Sequence, residues 1–383
     1  MAWLIIHTLA TFSLVVSIIL VLRRLSAKLE LIDRPDGIRK QHRGQVPLCG
    51  GIAIVAAFAL TTFLTDRATN FAPAFWIALT SLAVLGVADD RRPLPALFRF
   101  FVQLAVAVLL VASVPVDPLL LDLPFVESAF GLLPLISLVG TLFIVGLVNA
   151  WNMMDGVDGL AGGAAAVALV WLLLVAAHTD AMAIAEAMET LLICICGFLV
   201  FNMRSPWRIR ASVFLGDAGS MALGLAIAYV ILALATGSSP VSFIALLCIV
   251  VVPITDTLSL IIRRLHASRS PMSADRWHLH HLLIDHGMSS ASTTWTILLI
   301  SAFCGAIGYA GIRFRVADEL LTLVLLTIMA VHTVFVLLAT GRLRRPLRGS
   351  GVGTGLRARR LEVVNIPPAV SALDRSGSAD VDA

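Results

Sequence analysis

Eleven stretches of the sequence are long, apolar and almost free of charged residues. Runs of about 18 or more such residues are typical of transmembrane helices. A mean hydropathy of +0.95 is too high for a soluble domain of 383 residues. The pattern predicts an all-α polytopic integral membrane protein with about eleven transmembrane helices. The predicted segments are roughly 3–22, 48–65, 72–88, 98–114, 131–150, 160–178, 186–202, 217–236, 241–264, 293–312 and 318–340.

The basic residues predict the orientation of these helices. If the first helix starts outside, the inward connections and the C-terminal tail hold 25 of the 28 Lys and Arg residues. The outward segments then hold only Arg67, Arg313 and Arg315. Such a bias predicts an outside N-terminus and a cytoplasmic C-terminus. Because topology accounts for the basic residues, they give no reason to invoke nucleic acid as a partner.

The two ends of the chain differ in character. Residues 1–22 are interpreted as an uncleaved membrane anchor rather than a signal peptide, because Arg23 and Arg24 follow the apolar run instead of preceding it. The predicted membrane domain covers residues 1–345. Residues 346–383 are rich in Arg, Gly and Ser, which is typical of a disordered cytoplasmic tail. The five cysteines lie within or beside apolar segments without zinc-binding or C-x-x-C spacing, which favours a packing role.

The stretch NAWNMMDGVDGLAGG (149–163) places four polar side chains between two apolar segments. Asn149, Asn152, Asp155 and Asp158 recur every three residues, which predicts one polar side of a helical turn. No Lys or Arg lies in this loop. A solvated turn is the alternative, but it would not need four oxygen-bearing side chains in register. We therefore expect a cation or a polar ligand here.

A second acidic motif, GVADDRRPLP (86–95), ends the third predicted helix. Asp89 and Asp90 are adjacent, and neighbouring carboxylates repel each other when both are ionised. Acidic residues are also unfavourable at the C-terminal end of a helix. The alternatives are a solvated pair with Arg91 and Arg92 as partners, or a role in metal or phosphate chemistry.

Two further acids lie at or inside apolar segments. Asp217, in FLGDAGS (214–220), is either a helix N-cap or part of a site, and Phe214 lies beside it. Asp256 lies within an apolar run, where a carboxylate is costly and indicates function by default. The alternative is a structural acid paired with an arginine.

The inward loops also carry basic groups. The first loop, RPDGIRKQHRGQVPLCGG (34–51), could bind an anionic lipid headgroup, although the positive-inside rule alone could explain it. The segment RSPMSADRWHLHHLL (269–283) places three histidines close together near several arginines. Zinc binding is one alternative, but no cysteine accompanies the histidines and the acids elsewhere suit a harder cation. A set of phosphate-binding donors is favoured.

Together these motifs predict a cytoplasmic site of carboxylates, amides, histidines and arginines at the bilayer surface. Mg²⁺ is usually held by one or two carboxylates together with substrate phosphates, and Mn²⁺ is an alternative. Phosphoryl transfer depends mainly on positioning and charge stabilisation by such groups. The residues therefore predict an integral-membrane phosphotransferase with a lipid substrate. The rival class, a secondary transporter, would need its acids near the bilayer midplane.

The motifs resemble those of the polyprenyl-phosphate N-acetylhexosamine-1-phosphate transferases, closest to the WecA-like branch and more distantly MraY. PLCGGI, GVADDR, NAWNMMDGVDGLAGG, FLGDAGS and SPMSADRWHLHHLL occur in this order over residues 1–345. The resemblance implies transfer of a sugar-1-phosphate from a UDP-N-acetylhexosamine to undecaprenyl phosphate, with release of UMP. It implies a bacterial inner-membrane enzyme that initiates an envelope polysaccharide such as O-antigen. GlcNAc is the expected sugar; FucNAc, QuiNAc, GalNAc and MurNAc-pentapeptide are alternatives, and a homodimer is left open.

The resemblance also implies roles for individual residues. Asp217 and Asn152 would lie at the metal and pyrophosphate, and Asp155 would hydrogen-bond the uracil. Asp89 and Asp90 would position or deprotonate the lipid phosphate, with an aspartyl nucleophile as an alternative. Because a phosphomonoester has a second pKa near ~6, positioning is favoured over a strict general base. Phe214 would stack on the uracil, and the other substrate-binding candidates are Asn149, Asp158, Arg264, His278, His280, His281, Lys40, His42 and Arg43.

Overall fold

The computed structural model describes residues 2–33, 44–113, 133–236, 241–270 and 276–344. These residues form thirteen α-helices, one short 3-10 helix and one pair of two-residue strands. The helices are α1 Ala2–Leu25, α2 Gly50–Leu64, α3 Pro73–Arg91, α4 Ala96–Val111, α5 Leu133–Met154, α6 Leu160–His178, α7 Met182–Asn202, α8 Gly216–Thr236, α9 Phe243–Ile249, α10 Val251–His266, α11 Leu279–Asp285, α12 Ser290–Arg313 and α13 Asp318–Arg344. The strands β1 Ile32–Asp33 and β2 Val46–Pro47 pair antiparallel, and the 3-10 helix is Arg67–Asn70.

The described helices make this a polytopic all-α membrane protein. Eight of them are long and apolar enough to cross a bilayer, and α9 with α10 makes a ninth if that bent pair is one span. The apolar helices α2 and α4 have only 15 and 16 residues. At about 1.5 Å per residue they are shorter than the ~30 Å hydrocarbon core. The total of about eleven spans and the orientation of the termini stay predictions.

Helix α8 lies at the centre of the bundle. About 94% of its membrane-spanning window is buried, and it packs most extensively against α5 and α3. Its contact with α2 is very close, because a Cβ added to Gly51 would lie 2.1 Å from the Cα of Gly219. Glycine at both positions is therefore a packing requirement. This close contact fixes α8, and hence Asp217 at its start, relative to the first loop.

The predicted segment 241–264 is two helices rather than one. α9 ends at Ile249 and α10 begins at Val251, with an 82° bend between them. Pro253 occupies the first turn of α10, where its missing N–H costs nothing, whereas farther along a continuous helix it would remove a backbone hydrogen bond. The sequence did not predict this break because the apolar run continues through it without interruption.

The arginine of the connection between α2 and α3 is buried rather than solvated. Arg67 is 5% exposed; its guanidinium donates to the Thr190 hydroxyl at 3.1 Å and to the Glu186 carbonyl at 3.0 Å. It also lies 3.5 Å from the Glu186 carboxylate and stacks over Trp3 at 5.0 Å. These contacts hold α1 and α7 together at the end of the bundle opposite Asp217.

Candidate active site

The carboxylate of Asp90 lies against the N-terminal end of α8. It accepts hydrogen bonds from the backbone N–H of Asp217 at 3.0 Å and of Ala218 at 3.4 Å. Gly216 makes this approach possible: its φ is +75°, and a Cβ there would lie 2.6 Å from Asp90 Oδ2. A negative charge is favourable at a helix N-terminus. Asp90 therefore holds in place the helix that carries Asp217.

Asp217 is the second residue of α8, and its side chain does not act as a helix cap. Its Oδ1 accepts a 2.7 Å hydrogen bond from the Asn152 amide, which also donates to the Ser220 hydroxyl at 3.0 Å. The Asp217 side chain is 33% exposed. The end of α5 and the start of α8 thus present a carboxylate and an amide side by side at an open surface.

Asp89 is almost fully buried, and the protein engages both of its carboxylate oxygens. One of its oxygens accepts a 2.6 Å hydrogen bond from the backbone N–H of Leu94, and the other pairs with the Arg99 guanidinium. Arg99, near the start of α4, also lies 3.9 Å from Asp217 Oδ2. In the sequence, Arg99 stands out only as one of the basic residues of the inward connections. Its position near the N-terminal end of an apolar helix, directly after the DDR motif, is the sequence signal that could have marked it as a site residue.

Asp155 faces the same helix N-terminus as Asp90. Burial raises its pKa from 3.8 to about 8, with further contributions from the negative charges of Asp217 and Asp158. A hydrogen bond from the Gly216 amide partly opposes this rise in pKa. Three carboxylates, those of Asp90, Asp155 and Asp217, therefore meet around the first turn of α8.

Asp158 has a cationic partner that its own loop does not supply. Its carboxylate accepts a 2.7 Å hydrogen bond from Arg204 and a 3.1 Å hydrogen bond from the Ala211 amide. The Asp158 side chain is 12% exposed. These contacts give the Asp158 carboxylate hydrogen-bond partners and a counter-charge from the protein itself. They also join the turn after α5 to the loop before α8. A substrate-binding role for Asp158 stays a prediction.

The expectation of four polar residues on one helical face is wrong. α5 ends at Met154, and Gly159 adopts a φ of +79°, so Asp155 and Asp158 lie in the turn. Within α5, the Asn149 amide donates to Gln103 Oε1 at 2.7 Å and to the Val145 carbonyl at 2.8 Å. Asn149 therefore braces α4 against α5. Its predicted contact with substrate stays a prediction.

The histidine segment packs directly against the Asp155 turn. A Cβ added to Gly156 would lie 2.5 Å from His280 Nε2. His280 is 2% exposed, and it packs between the rings of His278 and His281 at centroid distances of 5.5 and 4.3 Å. Burial lowers the pKa of His280 well below 6.5, and the other two histidines lower it further. His280 is therefore neutral at physiological pH and contributes no positive charge.

Among the described residues, Asp256 pairs with the histidine segment rather than with an arginine. Its carboxylate accepts from the Leu279 amide at 2.9 Å and lies 3.2 Å from His278 Nδ1. His332 of α13 lies 3.9 Å from the same carboxylate. The buried acid thus fixes the start of α11 and the orientation of the His278 ring.

The remaining predicted residues divide into three groups. Phe214 is half-buried, and its backbone pairs with Pro47 of β2, which joins the first loop to the start of α8. Arg264 is buried near the C-terminal end of α10 at 2% exposure. Lys40, His42 and Arg43 lie outside the described residues, as do 271–275 and the tail from 345 onward.

The described residues can supply part of the coordination of a magnesium ion. Among them, no group of three or more His, Cys, Asp and Glu side chains is arranged to hold a metal ion. Asp217 and Asn152 instead offer one carboxylate and one amide oxygen, which suits a cation that takes its other ligands from substrate phosphates and water. Burial and the neighbouring carboxylates of Asp217 and Asp158 raise the pKa of Asp155, and a cation bound nearby would favour its ionised form.

Comparison with known proteins identifies the family of the chain. Residues 72–235 match the glycosyl transferase family 4 profile. The chain is 30% identical over 311 residues to an undecaprenyl-phosphate α-N-acetylglucosaminyl 1-phosphate transferase of Yersinia pestis, covering 80% of this chain and 83% of that protein. It is 28% identical to the proteins of that name from Escherichia coli K12 and Pasteurella multocida. Those two matches cover 79% of this chain and 82% and 85% of the two relatives.

Proposed function

Because the chain belongs to the polyprenyl-phosphate N-acetylhexosamine-1-phosphate transferase family and is a glycosyl-1-phosphate transferase, we propose that it transfers GlcNAc-1-phosphate from UDP-GlcNAc to undecaprenyl phosphate. The products are UMP and a lipid-linked pyrophosphate sugar that initiates an envelope polysaccharide. The reaction takes place with Mg²⁺ on the cytoplasmic face of the bacterial inner membrane. The inward bias of the basic residues supports this orientation.

The observation that carries this proposal is the meeting of Asp217, Asn152 and Arg99 at one helix end. Asn152 donates to Asp217 at 2.7 Å, and Arg99 lies 3.9 Å from the same carboxylate. Acids alone would repel a nucleotide diphosphate and a lipid phosphate. A bound divalent cation and the guanidinium together would offset the negative charge of the site. Two phosphate-bearing substrates can be brought together only if this charge is offset.

Asp217 and Asn152 are the residues that would hold the metal ion. When bound, Mg²⁺ would neutralise the donor pyrophosphate and the charge that develops on the departing UMP. Arg99 acts from the other side of Asp217. Since its guanidinium also pairs with buried Asp89, it is held ready to meet a phosphate oxygen without losing much side-chain entropy.

In the transfer, a phosphate oxygen of the lipid forms a bond to the β-phosphorus of the UDP-sugar. The bond from that phosphorus to the oxygen bridging it to the α-phosphorus breaks, and UMP leaves with that oxygen. The lipid phosphate is largely dianionic at neutral pH, so no base has to remove a proton. Both oxygens of Asp89 are engaged by the protein, and Asp90 holds the start of α8. These contacts support positioning roles for both acids rather than a general base or an aspartyl nucleophile.

Donor recognition is assigned to the turn after α5 and its neighbours. Asp155 lies by the first turn of α8, close to the proposed metal position, and would hydrogen-bond the uracil with Phe214 stacked on its face. The neutral imidazole of His280 suits hydrogen bonding to a sugar or phosphate oxygen rather than charge pairing. FucNAc, QuiNAc, GalNAc and MurNAc-pentapeptide are the alternative sugars.

The test is an assay of UMP release by the purified protein in lipid nanodiscs. We expect UMP from UDP-GlcNAc, undecaprenyl phosphate and Mg²⁺, and loss of the signal with EDTA. Asp217→Asn should lower turnover by orders of magnitude. Asp66→Asn, an exposed acid at the opposite end of the bundle, is the matched control and should retain wild-type turnover. Failure of every UDP-amino sugar to release UMP would refute the transferase, whereas release from another sugar alone would correct only the donor.

A further inference from the structure

The loop between α7 and α8 presents two large apolar side chains to its surroundings. In Met203–Ser212, Ser205 and Arg208 exchange backbone hydrogen bonds of 2.9 Å and close a two-residue turn. Trp207 lies at the tip of this turn and is 94% exposed, and Ile209 is 79% exposed. We call this segment the arginine–tryptophan loop.

The arginine–tryptophan loop is an ordered structure. The Ser212 amide donates to the Phe201 carbonyl at 2.9 Å. The Arg208 guanidinium bonds the Ser212 hydroxyl and lies over the Phe201 ring at 5.4 Å. Pro206 is the first central residue of the turn, directly before Trp207, and its ring fixes the φ angle there. The exposed tryptophan is therefore held outward by the fold, and its exposure is not the consequence of a free chain end.

The length of α7 puts this loop at the level of the lipid headgroups. Met182–Asn202 has 21 residues, which span about 31 Å at about 1.5 Å per residue. This length matches the ~30 Å hydrocarbon core. Trp207 follows only five residues beyond the end of the helix. Tryptophan is enriched at this level because its ring is amphipathic.

The charge of the loop selects the kind of lipid. Met203–Ser212 contains three arginines and no acidic residue. Arg204 is neutralised by Asp158 at 2.7 Å, whereas Arg210 is exposed and makes no ion pair within the described part of the chain. Basic residues near a membrane surface are attracted to anionic lipid headgroups.

We propose that the arginine–tryptophan loop docks on anionic phospholipid headgroups on the side of the bilayer that faces Asp217. Trp207 and Ile209 lie in the interfacial layer, and Arg210 contacts lipid phosphates. The Arg204–Asp158 ion pair connects this lipid contact to the turn that carries Asp155. The docked loop thus holds one wall of the candidate active site at the depth of the membrane surface.

The test isolates the fluorescence of Trp207 in full-length protein. Emission is recorded for wild type and Trp207→Phe in nanodiscs, and the difference between the two gives the Trp207 contribution. Nanodiscs contain phosphatidylcholine alone or equal parts of phosphatidylcholine and phosphatidylglycerol. In the mixed nanodiscs we expect Trp207 to be shielded from iodide in the water and quenched by brominated lipid. The shielding should be weaker in phosphatidylcholine alone.

The charge is tested with Arg210→Gln, which should lower the shielding in mixed nanodiscs toward the phosphatidylcholine value. Arg313→Gln is the matched control, because Arg313 is an exposed arginine at the opposite end of the bundle, and it should leave the Trp207 signal unchanged. Full iodide access to Trp207 in both nanodiscs would overturn the proposal, as would shielding that appears only when a soluble acidic protein is added. Equal shielding in both lipids, unaffected by Arg210→Gln, would overturn the anionic selectivity. None of these readouts depends on transferase activity.

Discussion

Adding one methyl group at Gly156 should uncouple the donor-binding turn from the histidine segment. A Cβ at this position would lie 2.5 Å from His280 Nε2, about 0.9 Å short of the 3.4 Å at which ordinary contact begins. His280 is 2% exposed and packs against two neighbouring imidazoles, so its ring has little room to rotate away. The turn, the ring or both must therefore move by several tenths of an ångström.

A displacement of about 1 Å in a positioning group costs about 100-fold in rate. We therefore expect Gly156→Ala to lower UMP release by about 10- to 100-fold. Overpacking of this kind costs about 1–3 kcal/mol of stability. The protein should thus stay folded, with a modestly lower Tm.

Gly146→Ala is the matched control for this substitution. Gly146 lies in α5, eight residues before the last residue of that helix, and a Cβ there meets no atom within 4 Å. Alanine in a helix interior is more stable than glycine by about 0.5–1 kcal/mol, so the control should keep its activity and gain slightly in Tm. Wild-type turnover in Gly156→Ala, or an equal loss in both variants, would refute the steric reasoning.

Three further perturbations test the charges around the site. Arg99→Met should lower turnover by more than about 100-fold, while Arg99→Lys retains part of it; similar rates for both would show that the positive charge is not used. In metal-free protein, the Tm should fall as the pH is raised from about 6 to about 9, because the raised pKa of Asp155 means that the native state binds more protons than the unfolded state across that range. Asp155→Asn should make this slope shallower, because Asp155 is one of three carboxylates around the first turn of α8, and an unchanged slope would assign it to the other two. Arg204→Met should lower stability by about 1–3 kcal/mol because it leaves the buried Asp158 carboxylate without its cation, whereas Arg210→Met, which removes an exposed arginine, should change stability by less than about 0.5 kcal/mol.

Much of the fold could be predicted from the sequence because a helix that crosses a bilayer needs a long, nearly uncharged apolar segment. Each predicted apolar segment coincides with one or two observed helices, and the motifs identified the family before any contact was known. The break between α9 and α10 was missed because hydropathy does not distinguish a straight apolar helix from a bent one. The strand pair β1–β2 was missed because two residues on each side are too few to show an alternating pattern.

The site was predictable in its residue types but not in its pairings. Sequence spacing indicated that Asp155 and Asp217 belong to polar turns at helix ends. It could not show that Arg204 reaches back to Asp158, or that Arg99 pairs with Asp89, because those partners lie 46 and 10 residues away and come together only by packing. Several carboxylates that the sequence predicts to bind ligands are therefore also engaged by the protein itself.

The burial of α8 on nearly all sides also bears on how resistance to an inhibitor of this site could arise. About 94% of the helix window is packed against neighbours, so most substitutions along it create a cavity or a clash. A variant that displaces Asp217 by altering α8 would lose stability before it gained resistance. Escape substitutions should therefore concentrate in the arginine–tryptophan loop, where Trp207 and Ile209 are exposed and have room to change. An inhibitor whose contacts are confined to the first turn of α8 would leave the enzyme few viable routes of escape.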